Sequence, residues 1–337
     1  MRFLNVKRPI SAGLLLSYKC TGECSHCMYA CSPQWNADWI DEHDLARVLK
    51  ELSPSIMPAP SGPDSIDLNH GLHLTGGEPF MNPGFLLDTV EHARSAGIPS
   101  LFAETNCFWC TEAGEVEDTF CRLRDAGLSG MLLSVNPFIL ERVPFERTEM
   151  AVARARDAFG ENAIVYQQFF YLQFRAMGIK SSLSFEDYLD RAGAGGLSRA
   201  ELLPMGRLAY RLPGLFRHFP ASYFFGDVCL SELTRQWHIH VDNYCNYIPG
   251  FCAGISLGDA RNMDRIFGGI DLNLRPVLRA LSTGMEELFR LGLRYGYEES
   301  SQGYISKCHL CLDIRRHLVE QPVDFKELRP EEFYRRL

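Results

Sequence analysis

The first two-thirds of the chain alternates short apolar runs with longer stretches of helical periodicity. Residues 13–18 (GLLLSY) form an apolar run short enough for a buried strand. Over residues 41–52, Leu45, Val48, Leu49 and Leu52 fall at i, i+3, i+4 and i+7, which predicts an amphipathic helix. Pro54, Pro58, Pro60 and Pro63 make the stretch 53–65 a loop. Residues 72–75 read as the next strand, and Asn82-Pro83 as a helix start that runs to Gly97. The unit recurs, with strands over 100–104, 131–135 and 163–167 and helices over 112–126 and 146–159. Ser184 caps a helix over 185–192, and Leu202-Leu203 reads as a sixth short strand ending at Pro204. Repeated βα units with apolar strands imply a parallel sheet with helices outside. Six such units predict an α/β fold, a partial (β/α)6 TIM-type barrel, in place of a doubly wound sheet.

After residue 210 the texture changes. Residues 238–242 followed by 247–251 read as a hairpin, 277–293 as helical, and CHLC at 308–311 precedes a charged tail. A boundary near Tyr210 therefore divides a core, 1–210, from a C-terminal extension, 211–337. The net charge of -8 argues against nucleic acid or an anionic membrane as the main partner. No apolar stretch reads as a membrane span, and the run 13–16 is too short for a signal peptide, so a cytoplasmic chain is expected. Twelve cysteines in such a chain point to metal or cluster ligation and not to a disulfide scaffold.

Polar and glycine signals recur at the C-terminal ends of the predicted strands, the face where barrel-type folds bind ligands. Cys20, Cys24 and Cys27 follow the first strand with C-x3-C-x2-C spacing. Thr75-Gly76-Gly77-Glu78-Pro79 follows the second, Glu104-Thr105-Asn106 the third, Ser134-Val135-Asn136 the fourth and Pro204-Met205-Gly206-Arg207 the sixth. Three thiolates on one loop can reach three corners of a cubane cluster and leave one iron open. Zinc with Cys31 as fourth ligand is the competing reading of the triplet. Gly76-Gly77 permits close approach of a ligand to exposed backbone amides and carbonyls, and an ordinary tight turn is the alternative.

Taken together, the triplet, GGEPF, ETN and SVN resemble the radical S-adenosylmethionine (SAM) superfamily over residues 10–210. The resemblance implies that Cys20, Cys24 and Cys27 ligate a [4Fe–4S] cluster whose open iron is chelated by SAM. It implies that the Gly76-Gly77-Glu78 backbone meets the methionine ammonium. Ser134, Asn136, Thr105 and Asn106 would bind ribose or carboxylate. Met205 and His26 would lie near the adenine. Two departures stand out: Cys107 where the family often has glycine, and Asn136 where it often has Asp. The implied activity is reductive cleavage of SAM to methionine and a 5′-deoxyadenosyl radical, which abstracts a substrate hydrogen.

The C-terminal stretch HVDNYCNYIPGFC resembles the half-hairpin of SPASM and twitch extensions, with Cys245 at the glycine position of the turn. By this resemblance Cys229, Cys252, Cys308 and Cys311 hold an auxiliary [4Fe–4S] cluster, Cys245 being the alternate ligand and structural zinc the alternative metal. The auxiliary cluster would transfer electrons or ligate substrate in oxidation, epimerisation or peptide or cofactor maturation. Cys107 and Cys110 (CFWC) are candidate substrate-side thiols or else packed core thiols. Cys31 and Cys121 read as inert, residues 169–174 as core or pocket wall, and Gln167 and Gln168 as polar contacts; Arg315, Arg316 and His317 read as a solvated tail face, contact with an anionic group being the alternative. His238 and His240 alternate on one side of a strand; they read as a solvated or packed pair, with contact to substrate as the alternative. The first strand begins by residue 13, which tilts the expected substrate toward a small molecule or a separately presented peptide. A ferredoxin- or flavodoxin-type electron donor is implied by the family. A non-catalytic iron–sulfur electron carrier or a zinc-stabilised binding protein would explain the cysteines but not the other strand-end signals.

Overall fold

The computed structural model describes residues 2–337 apart from 37, 194 and 199. Seven strands form one sheet in the order β6-β5-β4-β3-β2-β7-β8. They are β2 (Ser11–Leu15), β3 (Gly71–Thr75), β4 (Leu101–Thr105), β5 (Gly130–Ser134), β6 (Ala163–Tyr166), β7 (Ile239–Val241) and β8 (Tyr247–Ile248). Every neighbouring pair from β6 to β7 is parallel, and only β8 runs antiparallel, as the return of a hairpin. A separate two-stranded antiparallel sheet joins β1 (Phe3–Leu4) to β9 (Ile270–Asp271). No helix among the described residues is long and apolar enough to cross a membrane.

The register explains the layering. Ala12, Leu14, Leu72, Leu74, Leu101, Ala103, Met131 and Leu133 share one face and are fully buried. That face takes the apolar stripes of the crossover helices, such as Leu45, Val48, Leu49 and Leu52 of α1 (Glu42–Leu52). Asp41 caps α1, with its carboxylate accepting from the His43 and Asp44 amides. Asn82 caps α2 (Pro83–Ser95), with Pro83 as its first residue. Further helices α3 (Ala113–Asp125), α4 (Pro137–Leu140), α5 (Phe145–Phe159), α6 (Gln168–Ala176) and α7 (Phe185–Ala192) follow in order. The opposite face of the sheet carries Gly13, His73, Phe102 and Glu104, and His240 lies beside Gly13 on β7.

Three local expectations change. The apolar run at 13–18 pairs earlier than expected, as Ser11–Leu15; Leu16 then bonds Thr75 O at 3.0 Å and the chain peels away toward the cysteine loop. Leu202-Leu203 does not form a strand, because bonds from Leu202 N to Ala200 O and from Met205 N to Leu203 O turn the chain on itself. The sixth parallel strand is instead β7, which lies beyond Tyr210 and pairs with β2. The helical stretch near 277–293 is two helices, Pro276–Thr283 and Met285–Arg294, broken at Gly284.

Candidate functional site

The loop after β2 holds the three clustered cysteines. Cys20 is buried, its sulfur 3.4 Å from the Gly22 amide, and Cys24 and Cys27 are half-buried. Burial pushes the Cys24 thiol up to about 12 and Cys20 well up also, and the neighbouring thiols add to the effect. Cys27 moves the other way. The Cys31 thiol hydrogen-bonds it and the Arg207 charge favours its thiolate. The Cys31 amide also meets the Cys27 sulfur at 3.3 Å, so Cys31 supports the loop from behind.

Arg207, named in the sequence only within the last strand-end signal and given no role there, clasps this loop. It is 1% exposed. Its guanidinium donates to Cys24 O and Cys31 O at 3.1 Å, to Ala30 O at 2.6 Å and to Arg336 O at 3.3 Å. Its own amide bonds Cys27 O at 3.0 Å. A planar fork with five donors can gather carbonyls in this way. The only signal in the sequence was its place after Pro204-Met205-Gly206, and nothing there shows burial.

The glycine pair packs against the same loop. A Cβ on Gly77 would sit 1.6 Å from Lys19 O, and one on Gly76, at φ +132°, 2.4 Å from Ser17 O. The Gly77 and Glu78 amides are committed to Ser17 O (2.7 Å) and Lys19 O (3.0 Å). What these residues can offer a cationic head group is therefore carbonyl oxygen. Glu78 is buried and accepts from Thr105 Oγ1 (3.0 Å), Asn106 N (2.8 Å) and Phe80 N (3.2 Å), while desolvation raises it to about 7. It ties the second strand end to the third. Thr105 Oγ1 also accepts from the Cys107 amide at 3.0 Å and Trp109 Nε1 at 3.1 Å, so its hydroxyl serves the local turn. Asn106 reaches the cysteine loop, with Nδ2 3.2 Å from Thr21 Oγ1 and 3.8 Å from Cys20 Sγ.

The fourth strand end is joined to the loop through His26. Asn136 caps α4, accepting from the Phe138 and Ile139 amides, and its Nδ2 lies 3.2 Å from His26 Nε2. Burial lowers His26 to about 4, so the neutral ring accepts at Nε2; its Nδ1 is buried without a partner among the described residues. The ring stacks on Phe138 at 4.6 Å. Ser134, half-buried, ends β5 opposite Tyr166 of β6. Met205 is half-buried in the turn that leads to Arg207. Gln167 is spent on the Glu201 amide, while Phe170, Tyr171 and Phe174 of α6 are core.

Cys107 and Cys110 have no exposed surface. Cys107 takes φ +66° in the position where glycine would be relaxed, and Trp109 between them stacks on Phe80 at 4.5 Å. As placed, both are packed thiols.

The distal cysteines form a second set. Cys308 and Cys311 lie one turn apart on the helix Lys307–Val319, whose N-cap Ser306 accepts from the His309 amide. Cys229 and Cys252 come from separate segments, and the charges of Cys229, Cys252 and Cys308 are each disfavoured by burial first and by other members of the set next. Cys245 stands apart, next to Asp44, Arg261, Asp242 and Asp259. Its φ of +62° is the glycine-like conformation of the hairpin turn, which Asp242 closes by accepting from the Tyr244 and Asn246 amides. Arg315, expected on a solvated face, is buried beside Cys252 and Cys311. It donates to Ala253 O (2.9 Å) and the Tyr334 hydroxyl (2.8 Å), and its buried Nε has no partner among the described residues. The Arg315 charge lies beside Cys252, Cys308 and Cys311, which suits an anionic sulfur-rich group there.

No family model matches the chain, and no curated protein matches it. Among solved structures it is similar to BtrN in complex with AdoMet and 2-DOIA, at 13% identity over 83% of this chain and 89% of that one, TM-score 0.47. It is similar to anSMEcpe with bound AdoMet, at 12% identity over 92% and 96%, TM-score 0.45. It is also similar to Streptococcus suis SuiB bound to S-adenosylmethionine, at 10% identity over 89% and 77%, TM-score 0.36. These are distant likenesses in the course of the chain, below the level at which one protein's chemistry passes to another.

Proposed function

We propose that the chain is a radical SAM oxidoreductase or maturase. In this reading Cys20, Cys24 and Cys27 hold a [4Fe–4S] cluster with one iron left for SAM, and Cys229, Cys252, Cys308 and Cys311 hold an auxiliary [4Fe–4S] cluster. When bound and reduced, cluster and SAM supply a carbon radical that takes hydrogen from an unactivated C–H bond. The observation that carries the reading is the tying of three strand ends to one three-cysteine loop: Glu78 to Thr105 and Asn106, Asn106 to Thr21, and Asn136 to His26. An electron carrier needs the cysteines but not this shared polar rim.

Each residue then has a task. Arg207 holds the loop carbonyls so that the three thiols are presented together, and its charge offsets the cost of ionising Cys24 and Cys27. The carbonyls of the Gly76-Gly77-Glu78 turn accept from an ammonium. His26, held flat on Phe138, and Met205 wall the adenine. Ser134, Asn136 and Asn106 line the ribose and carboxylate. The substrate is a small molecule or a peptide presented by a separate protein, and the electron donor is of the ferredoxin or flavodoxin type.

The test is anaerobic reconstitution. Brown protein with about eight irons per chain is expected. After dithionite reduction it should turn SAM into 5′-deoxyadenosine, and Cys24→Ala should abolish this. Colourless, zinc-loaded protein from iron-replete anaerobic expression would support the binding-protein alternative.

A further inference from the structure

We propose a further, mononuclear metal site on the inner face of the sheet, a three-histidine site for a divalent first-row cation such as Zn2+. It does not depend on the reading of the cysteine loop. His73 of β3, His238 and His240 of β7 each offer a ring nitrogen, and the three atoms lie within 4.8 Å of one another. The rings converge: His73 stacks on His238 at 4.8 Å, and His240 stands edge-on to both, at 5.4 Å from His73 and 4.9 Å from His238.

The sheet is built to make this room. Gly13 of β2 is paired with His73 on one side and His240 on the other. A Cβ there would lie 2.4 Å from His73 Nε2 and 2.5 Å from His240 Cδ2. Only glycine at the centre lets imidazoles from two flanking strands close over it. His238 joins them from just before β7, at φ +58°.

The outer partners are those of metal-binding histidines. His240 Nδ1 lies 3.1 Å from Gly250 O; a carbonyl only accepts, so Nδ1 carries the proton and Nε2 keeps its lone pair. His238 Nδ1 is buried with no partner among the described residues. Glu104 Oε1, 3.5 Å from His73 Nε2, brings a carboxylate to the rim, and Thr75 Oγ1 holds its other oxygen at 2.7 Å. Arg235, the nearby cation, pairs with Glu232 at 3.0 Å, which offsets its charge. Tyr29, two residues beyond Cys27, tilts over His240 at 5.1 Å with its buried hydroxyl unpaired. Three imidazoles leave a fourth position for water or an oxygen donor of a substrate.

Zn2+ is the probe. Cluster-reconstituted wild-type protein, chelator-washed, given one equivalent of Zn2+ and desalted, should retain it. Its X-ray absorption should show a nitrogen or oxygen shell at about 2.0–2.1 Å. His238→Ala, the most accessible of the three, should weaken retention at least tenfold. Loss of Zn2+ on desalting, a sulfur shell near about 2.3 Å, or full retention by His238→Ala overturns the site. The wild-type spectrum decides the matter even where a buried variant fails to fold.

Discussion

Arg207 shows how one side chain can organise a site it does not line. Its side-chain hydrogen-bond partners are all backbone carbonyls, three of them in the cysteine loop. Arg207→Lys keeps the charge but offers three donors from one point, which cannot span those oxygens. Stranded buried carbonyls cost about 1–3 kcal/mol each. Arg207→Lys should therefore lower the melting temperature and bring iron from about eight toward about four per chain, with SAM cleavage lost. Arg207→Met should be worse, since the charge that favours the Cys27 thiolate goes too. Iron analysis with calorimetry checks this, and full iron with unchanged melting in Arg207→Met would remove Arg207 from the site.

At the scale of elements, the hairpin and the helix Lys307–Val319 sort the distal cysteines. The β7–β8 turn sends Cys245 to the side of Asp44 and Arg261, and the chain beyond β8 brings Cys252 toward Cys308 and Cys311. Cys245→Gly, which relaxes φ +62°, should keep the full iron content, whereas Cys252→Ser should lose about four irons. The reverse result would reassign the ligand. These elements also show what was legible. Alternating apolar runs, the Asn82-Pro83 cap and the hairpin could be read because they rest on local periodicity and caps. Leu202-Leu203 misled because a strand needs a partner, and the apolar pair says nothing about one. The gathering of His73 with His238 and His240 was hidden for the same reason: they are far apart in sequence, and only the register around Gly13 joins them. Arg207 and Arg315 were illegible because burial of an arginine depends on carbonyls supplied by distant loops.

At the scale of the molecule, the boundary near Tyr210 separates two textures of sequence, yet the sheet crosses it. Ala12, Gly13 and Leu14 of β2 pair with Ile239, His240 and Val241 of β7, and β1 pairs with β9. The Tyr18 hydroxyl donates to the buried Asp242 carboxylate at 3.0 Å, and Ser306 Oγ donates to Pro204 O at 2.7 Å. Arg207 itself needs Arg336 O from the far end of the chain. A fragment ending at 210 would expose a central strand edge, leave Tyr18 without its partner and take one acceptor from the clasp on the cysteine loop. Unpaired central edges invite aggregation. The fragment 1–210 should therefore lack a cooperative melting transition and fail to retain iron on Cys20, Cys24 and Cys27, whereas the full chain should melt as one unit with both regions losing hydrogen-exchange protection together. Near-ultraviolet circular dichroism and iron analysis of the fragment decide it. A folded fragment that holds about four irons would make residues 211–337 an appendage, and the sheet's continuity through β7 would then be an ornament of the fold and not a condition of the site.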